Sequence, residues 1–177
     1  MKRNLVISTI LIALIFVSRL VPHTWNVAPV AAAALLAGAI LPRKWALSVP
    51  MLGMLLSDLV IGFYYAPVML AVYACFAISA LLGTWVKDMK PIKILSTSLA
   101  SSTLFFIATN FAVWASADWY EKSWSGLTLC YALAVPFFRN TMLGDLIFTG
   151  VLFGVWELVY NRAIYFNILN LKSPVKL

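Results

Sequence analysis

Apolar stretches long enough to cross a membrane follow one another along almost the whole chain, and the charges are pushed into the short turns between them. A spanning helix needs roughly 20 mostly apolar residues, with about 17 as the lower limit. Six stretches fit or approach that length: Leu5–Val21, Val27–Leu41, Trp45–Phe63, Pro67–Trp85, Ile92–Trp114 and Asn140–Tyr160. With 63% hydrophobic and only 11% charged residues, a water-soluble domain of 177 residues could not hide so much apolar surface. The chain therefore reads as an all-α, polytopic membrane protein: one six-helix transmembrane domain over residues 1–177. The second stretch is short and rich in Ala, which predicts a helix tilted or sheltered by its neighbours. Trp124–Phe138 is apolar but too short to cross with the polar loop before it, which predicts a re-entrant or interfacial helix capping the outer face.

The basic residues orient this arrangement. With an inside N-terminus, Lys2, Arg3, Arg43, Lys44, Lys87, Lys90, Lys93, Arg162, Lys172 and Lys176 fall inside, and only Arg19, Lys122 and Arg139 fall outside. That bias obeys the positive-inside rule and puts both termini of a six-span protein in the cytoplasm, with a bacterial cytoplasmic (inner) membrane as the expected location. Trp45, Trp85, Trp114 and Trp119 stand at the expected membrane–water boundaries. The net charge of +7 is thereby explained by topology; the lipid bilayer is an expected partner and nucleic acid is not. Met1–Ser18 has the outline of a signal peptide but no convincing small-x-small cleavage site, and reads as a retained first helix. Cys75 and Cys130 form no disulfide framework or metal spacing.

Polar groups inside apolar helices are costly, roughly 2.5–3.5 kcal/mol for a charge at mid-bilayer, so their positions carry the functional signal. Asp58 falls about 7 Å below the outer end of the third stretch, and Asp145 about 9 Å below Arg139 and Asn140 at the mouth of the sixth. Asn110 lies one turn below the outer end of the fifth. Arg19, His23 and Asn26 cluster at the outer turn between the first two. All belong to the outer half, whereas the inner half offers only Glu157, near Arg162. Each also has a purely structural reading. Asp58 and Arg139 can staple two helices as an ion pair, Asp145 can bond Thr141 or Asn110, and Arg19 can snorkel to the headgroups. His23 either shapes its turn or faces a ligand. Tyr73 either lines a cavity or anchors packing, and Cys75 either packs as a small apolar residue or meets a soft metal centre. Ala33, Ala34, Ala37 and Gly38 give small-xxx-small spacing that serves internal packing or a partner helix.

Chemistry is poorly represented. The chain has no Walker motif, no H-E-x-x-H and no G-x-S-x-G, and a single histidine leaves little for acid–base work. No enzyme activity and no intrinsic cofactor are expected.

Several motifs resemble a known group. Arg19-Leu20-Val21-Pro22-His23-Thr24-Trp25-Asn26-Val27-Ala28-Pro29 resembles the "RL-P-H-x-x-N-x-x-P" opening of a bacterial transport family. The likeness continues through Leu56-Ser57-Asp58-Leu59 with Gly62, Thr109-Asn110-Phe111 with Trp114, and Pro136-Phe137-Phe138-Arg139-Asn140-Thr141 followed by Gly144-Asp145. That family is similar to the substrate-binding S-components of energy-coupling-factor vitamin transporters, and among them to the solitary BtuM-type cobalamin transporters. The resemblance implies a six-helix S-component-like fold and uptake of a vitamin-like solute, cobalamin or a related corrinoid. It implies His23, Asp58, Tyr73 and Arg139 as pocket residues and Cys75 as the cobalt contact. Helix one carries Ser8, Ile12 and Phe16 where many S-components carry the Ala-x-x-x-Ala pattern that docks a coupling subunit. That departure fits a solitary protein, with a separate ATPase module left open.

The expected function is substrate binding and uptake across the membrane, using His23, Asn26, Asp58, Tyr73, Asn110, Arg139, Asn140 and Asp145. The alternative is a structural or assembly protein that binds partner helices and transports nothing.

Overall fold

The structure is a computed structural model that describes residues 1–22 and 27–172, with side chains as far as Tyr160. Among the described residues six α-helices follow in order: α1 (Lys2–Leu20), α2 (Val30–Ile40), α3 (Arg43–Ile61), α4 (Ala66–Gly83), α5 (Pro91–Ser116) and α6 (Trp124–Lys172). Five helices, the last counted over Trp124–Tyr160, are long and apolar enough to cross a membrane; α2 is apolar but too short. This is the architecture of a multi-pass helical membrane protein.

Burial follows a lipid-facing pattern. Leu59, Leu70, Ile107 and Ile147 are more than half exposed, whereas Ser57, Ser79, Ser98, Ser101, Ser102 and Thr149 are buried. Hydroxyls turn inward because lipid offers them no partner. Ser79 and Ser101 pair at 2.6 Å and Ser98 and Thr149 at 3.1 Å.

Helix α2 is the centre of the bundle, packed against α3, α4 and α6. Every residue from Val30 to Ala39 is buried. Its small residues are spent on this internal contact, which resolves the two readings of the Ala–Gly stripe: Gly38 lies against the backbone of Ala80 and Gly83 on α4. The sheltered second helix foreseen from the sequence is a half-length one, about 16 Å long.

Depths within the bundle follow from the cross-helix contacts. The Tyr65 hydroxyl donates to the Ser116 carbonyl at 2.6 Å, placing the start of α4 beside the end of α5. Ser102, which meets Asp145, lies about 21 Å below that level. Val27 packs on Gly144, next to Asp145. Val27 therefore stands at mid-height, and α2 begins just beyond it.

One expectation is overturned. Trp124–Phe138 is no separate cap, because it runs without a break into the helix foreseen at Asn140–Tyr160 as the first part of α6. The Cys130 thiol reaches the Asn110 carbonyl at 3.5 Å and the Tyr131 hydroxyl donates to the Ile107 carbonyl at 2.7 Å. This segment is thus the antiparallel partner of the end of α5. From Tyr131 to Asp145, α6 advances about 21 Å, while their partners on α5 are only about 7.5 Å apart. Pro136 lies inside that stretch without ending the helix, although it has no N–H to bond back to Ala132.

Candidate functional site

Two cavities of about 280 Å³ each lie in the half of the bundle above α2. The first runs between α1, α3, α4, α5 and α6, from Arg19, Ile61 and Tyr64 at the helix ends down to Ser79, Ser101 and Asp145 at mid-height. Val30 and Ala31, the first residues of α2, line it as well, and that helix start has no side-chain cap. The second cavity lies between α4, α5 and α6, with Val68, Asn110, Ala134 and Phe138 on its walls. Phe105 and Thr141 border both.

A charged network reaches the first cavity through Arg19. The Arg19 guanidinium donates to Asp58 Oδ1 at 2.6 Å, to the Ser57 hydroxyl and to the Met54 carbonyl at 3.3 Å. The Tyr73 hydroxyl donates to Asp58 Oδ2 at 2.7 Å. Asp58 is completely buried, so both of its oxygens need these donors. Helix geometry delivers them: α1 and α3 run parallel, so Arg19 in the last turn of α1 meets Asp58 in the last turn of α3. Gly62 then ends α3 at φ 106°, a backbone conformation suited to glycine, with its N–H on the Asp58 carbonyl at 2.9 Å. Tyr64, in the turn just beyond, has its phenol pushed up to about 12 by burial and, secondarily, by the Asp58 carboxylate. It is a neutral hydroxyl at any physiological pH. Tyr73→Phe is expected to cost about 1.5–3 kcal/mol, the range for a hydrogen bond to a charged group, read as a lowered melting midpoint. An unchanged midpoint would show that Arg19 alone holds Asp58.

Asp145, 5% exposed, also lines this cavity and accepts a hydrogen bond from Ser102 at 2.6 Å.

The residues singled out in the sequence divide as follows. Asp145 lines the first cavity, whereas Asp58 and Tyr73 do not; they meet each other and Asp58 meets Arg19, which does. Asp58 pairs with Arg19 rather than Arg139, and Arg19 turns inward instead of snorkelling outward. Asp145 bonds Ser102 rather than Thr141 or Asn110. Asn110 borders the second cavity, its amide donating to the Phe106 carbonyl at 2.8 Å. Arg139 is exposed and borders neither cavity, and among the described residues it has no ion pair. Asn140 is half-buried on α6 and borders neither cavity. Cys75 is buried beside the cavity-lining face of α4 without being part of it. His23 and Asn26 lie outside the described residues. Among those described, no group of three His, Cys, Asp or Glu side chains could hold a metal ion.

Sequence reading missed Ser57, Ser79, Ser101 and Ser102. The available signal was their spacing: Ser98, Ser101 and Ser102 share one face of an apolar helix, where hydroxyls facing lipid would be wasted.

No curated protein and no solved structure matches the chain. A family model does match, over residues 1–169, and by that match the chain belongs to DUF6580, a family of unknown function.

Proposed function

We propose that the protein captures a small solute in the first cavity and carries it across a bacterial cytoplasmic membrane, in the manner of an S-component. The observation that carries this reading is the cavity itself, with a half-helix beginning at its floor. Interrupted helices whose ends meet a ligand at mid-membrane recur in transporters, because the free N–H groups and unpaired backbone supply polar contacts there. The chain makes six passes on this reading, with α2 as the helical part of the second. The turns holding Arg43, Lys44, Lys87, Lys90 and Lys93 face the cytoplasm together with Lys2 and Arg3, and the cavity faces outside.

Size narrows the solute. About 280 Å³ is near the lower end of the roughly 300–1,000 Å³ typical of small-molecule sites. A whole corrinoid is larger than this cavity, so the volume favours a smaller vitamin-sized solute over the cobalamin implied by resemblance. The rival reading, an assembly protein that binds partner helices, loses its main support, since the small residues of α2 face α4 within the same chain.

The test is recovery of the solute. Protein purified from membranes in lipid nanodiscs is denatured and the extract read by mass spectrometry and absorbance, with cobalamin as one reference compound. Val72→Trp, which fills the cavity from α4, serves as comparison. Wild type should release a defined small molecule that is depleted at least about tenfold in the folded variant. Equal amounts from both, or none from either together with no uptake of added cobalamin or other vitamins into proteoliposomes, would sink the proposal.

A further inference from the structure

Three charged side chains stand in or beside the first cavity among the described residues, and only two of them cancel. Arg19 and Asp58 are 2.6 Å apart and neutralise each other. Asp145 is left. Its Oδ2 accepts the Ser102 hydroxyl, its Oδ1 has no hydrogen-bond partner among the described residues, and the side chain borders the cavity. The elements packed on it offer no counter-charge: α5 presents Ser98, Ser101 and Ser102, and α2 is entirely apolar. The uncapped start of α2 borders the same cavity. It supplies a partial positive charge of about half a unit, which offsets only part of a carboxylate. A buried carboxylate without a counter-ion is expensive. Phe76 and Phe105, with ring centroids 5.2 Å apart, stand on the cavity wall. Such rings give apolar contact and an attractive face for a cation.

We infer that the solute is a monocation, an organic ammonium compound whose charged group sits against Asp145 and whose apolar body lies against Phe76 and Phe105. This rests on the cavity being the solute site. A single ammonium balances the cavity charge, whereas an anionic solute would add to an uncompensated negative charge.

Three probes of nearly one size test this at neutral pH: benzylamine as the cation, benzyl alcohol as the neutral form and benzoate as the anion. Binding to wild-type protein in nanodiscs is measured by calorimetry, with competition against Val72→Trp to locate it in the cavity. Benzylamine should bind about tenfold or more tighter than benzyl alcohol, with benzoate weakest, and that preference should fall about tenfold in Asp145→Asn. The wild-type ranking stands as a test even if the variant does not fold. Equal binding of benzylamine and benzyl alcohol, as expected if Asp145 simply carries a proton, overturns the charge assignment but leaves the cavity reading intact. A preference for benzoate does the same. Failure of all three to bind, or binding unaffected by Val72→Trp, overturns the cavity reading and this inference with it.

Discussion

Asp58→Asn should destabilise the folded protein by about 3–5 kcal/mol, the range for removing one partner of a buried ion pair. The loss comes mainly from Arg19, not from Asp58. The guanidinium is held deep in the bundle at 18% side-chain exposure, with its Nη1 committed to Asp58, Ser57 and Met54. Without the carboxylate it is a cation facing apolar helices. An asparagine leaves Tyr73 an acceptor of similar shape, so the tyrosine contributes little to the penalty. Adding Arg19→Met should recover more than half of the loss, since a pair of missing charges is cheaper than one unpaired charge. Thermal unfolding of the three variants in nanodiscs checks this. A single variant that melts within about 1 kcal/mol of wild type, or a double variant worse than the single, would show that the pair is not what fastens α1 to α3.

The fold was legible wherever hydrophobic length decides the outcome. The starts and ends of α1, α3, α4 and α5 lie within a few residues of the apolar stretches, because the charges, prolines and glycine that bound those stretches are also where the helices stop. Two features were not legible. Trp124–Phe138 was set apart because it is too short to cross with the polar loop before it, yet it continues through Pro136 into the next stretch, and a proline inside a helix need not end it when neighbouring helices supply partners. Polar pairing was misassigned for a related reason. Arg139 and Asp58 lie in the same half of the bundle, but depth alone does not say which helices are neighbours. The parallel packing of α1 on α3 gave Asp58 to Arg19, and the outward face of α6 took Arg139. The inward placing of Asp58, Tyr73 and Asp145 was legible because a carboxylate or phenol in an apolar stretch turns inward whatever its partner is. The serine face of α5 was passed over because a single serine costs too little to draw notice.

Gly38→Val should leave little folded protein. A Cβ at Gly38 would stand 1.9 Å from the Ala80 carbonyl oxygen and 2.9 Å from the Gly83 Cα, and the reverse contact is as tight, with a Cβ at Gly83 falling 2.2 Å from the Leu35 carbonyl oxygen. All of these are backbone atoms, so no rotamer change relieves the overlap; α2 and α4 must separate by more than 1 Å. Inserting even one methyl into a well-packed interior costs about 1–3 kcal/mol, and valine adds two more carbons where there is no room for the first. The displacement cannot stay local. The far end of α2 carries Val30 and Ala31 on the cavity floor, so the milder Gly38→Ala should weaken ligand binding as well as stability. Gly150→Ala is the control, since nothing lies within 4 Å of a Cβ there and the change should be neutral or worth up to about 1 kcal/mol of helix stability. Yields of monodisperse protein and melting midpoints of the three variants decide the matter. If Gly38→Val behaves like Gly150→Ala, the close seating of the half-helix on α4 is wrong, and with it the position of the cavity floor.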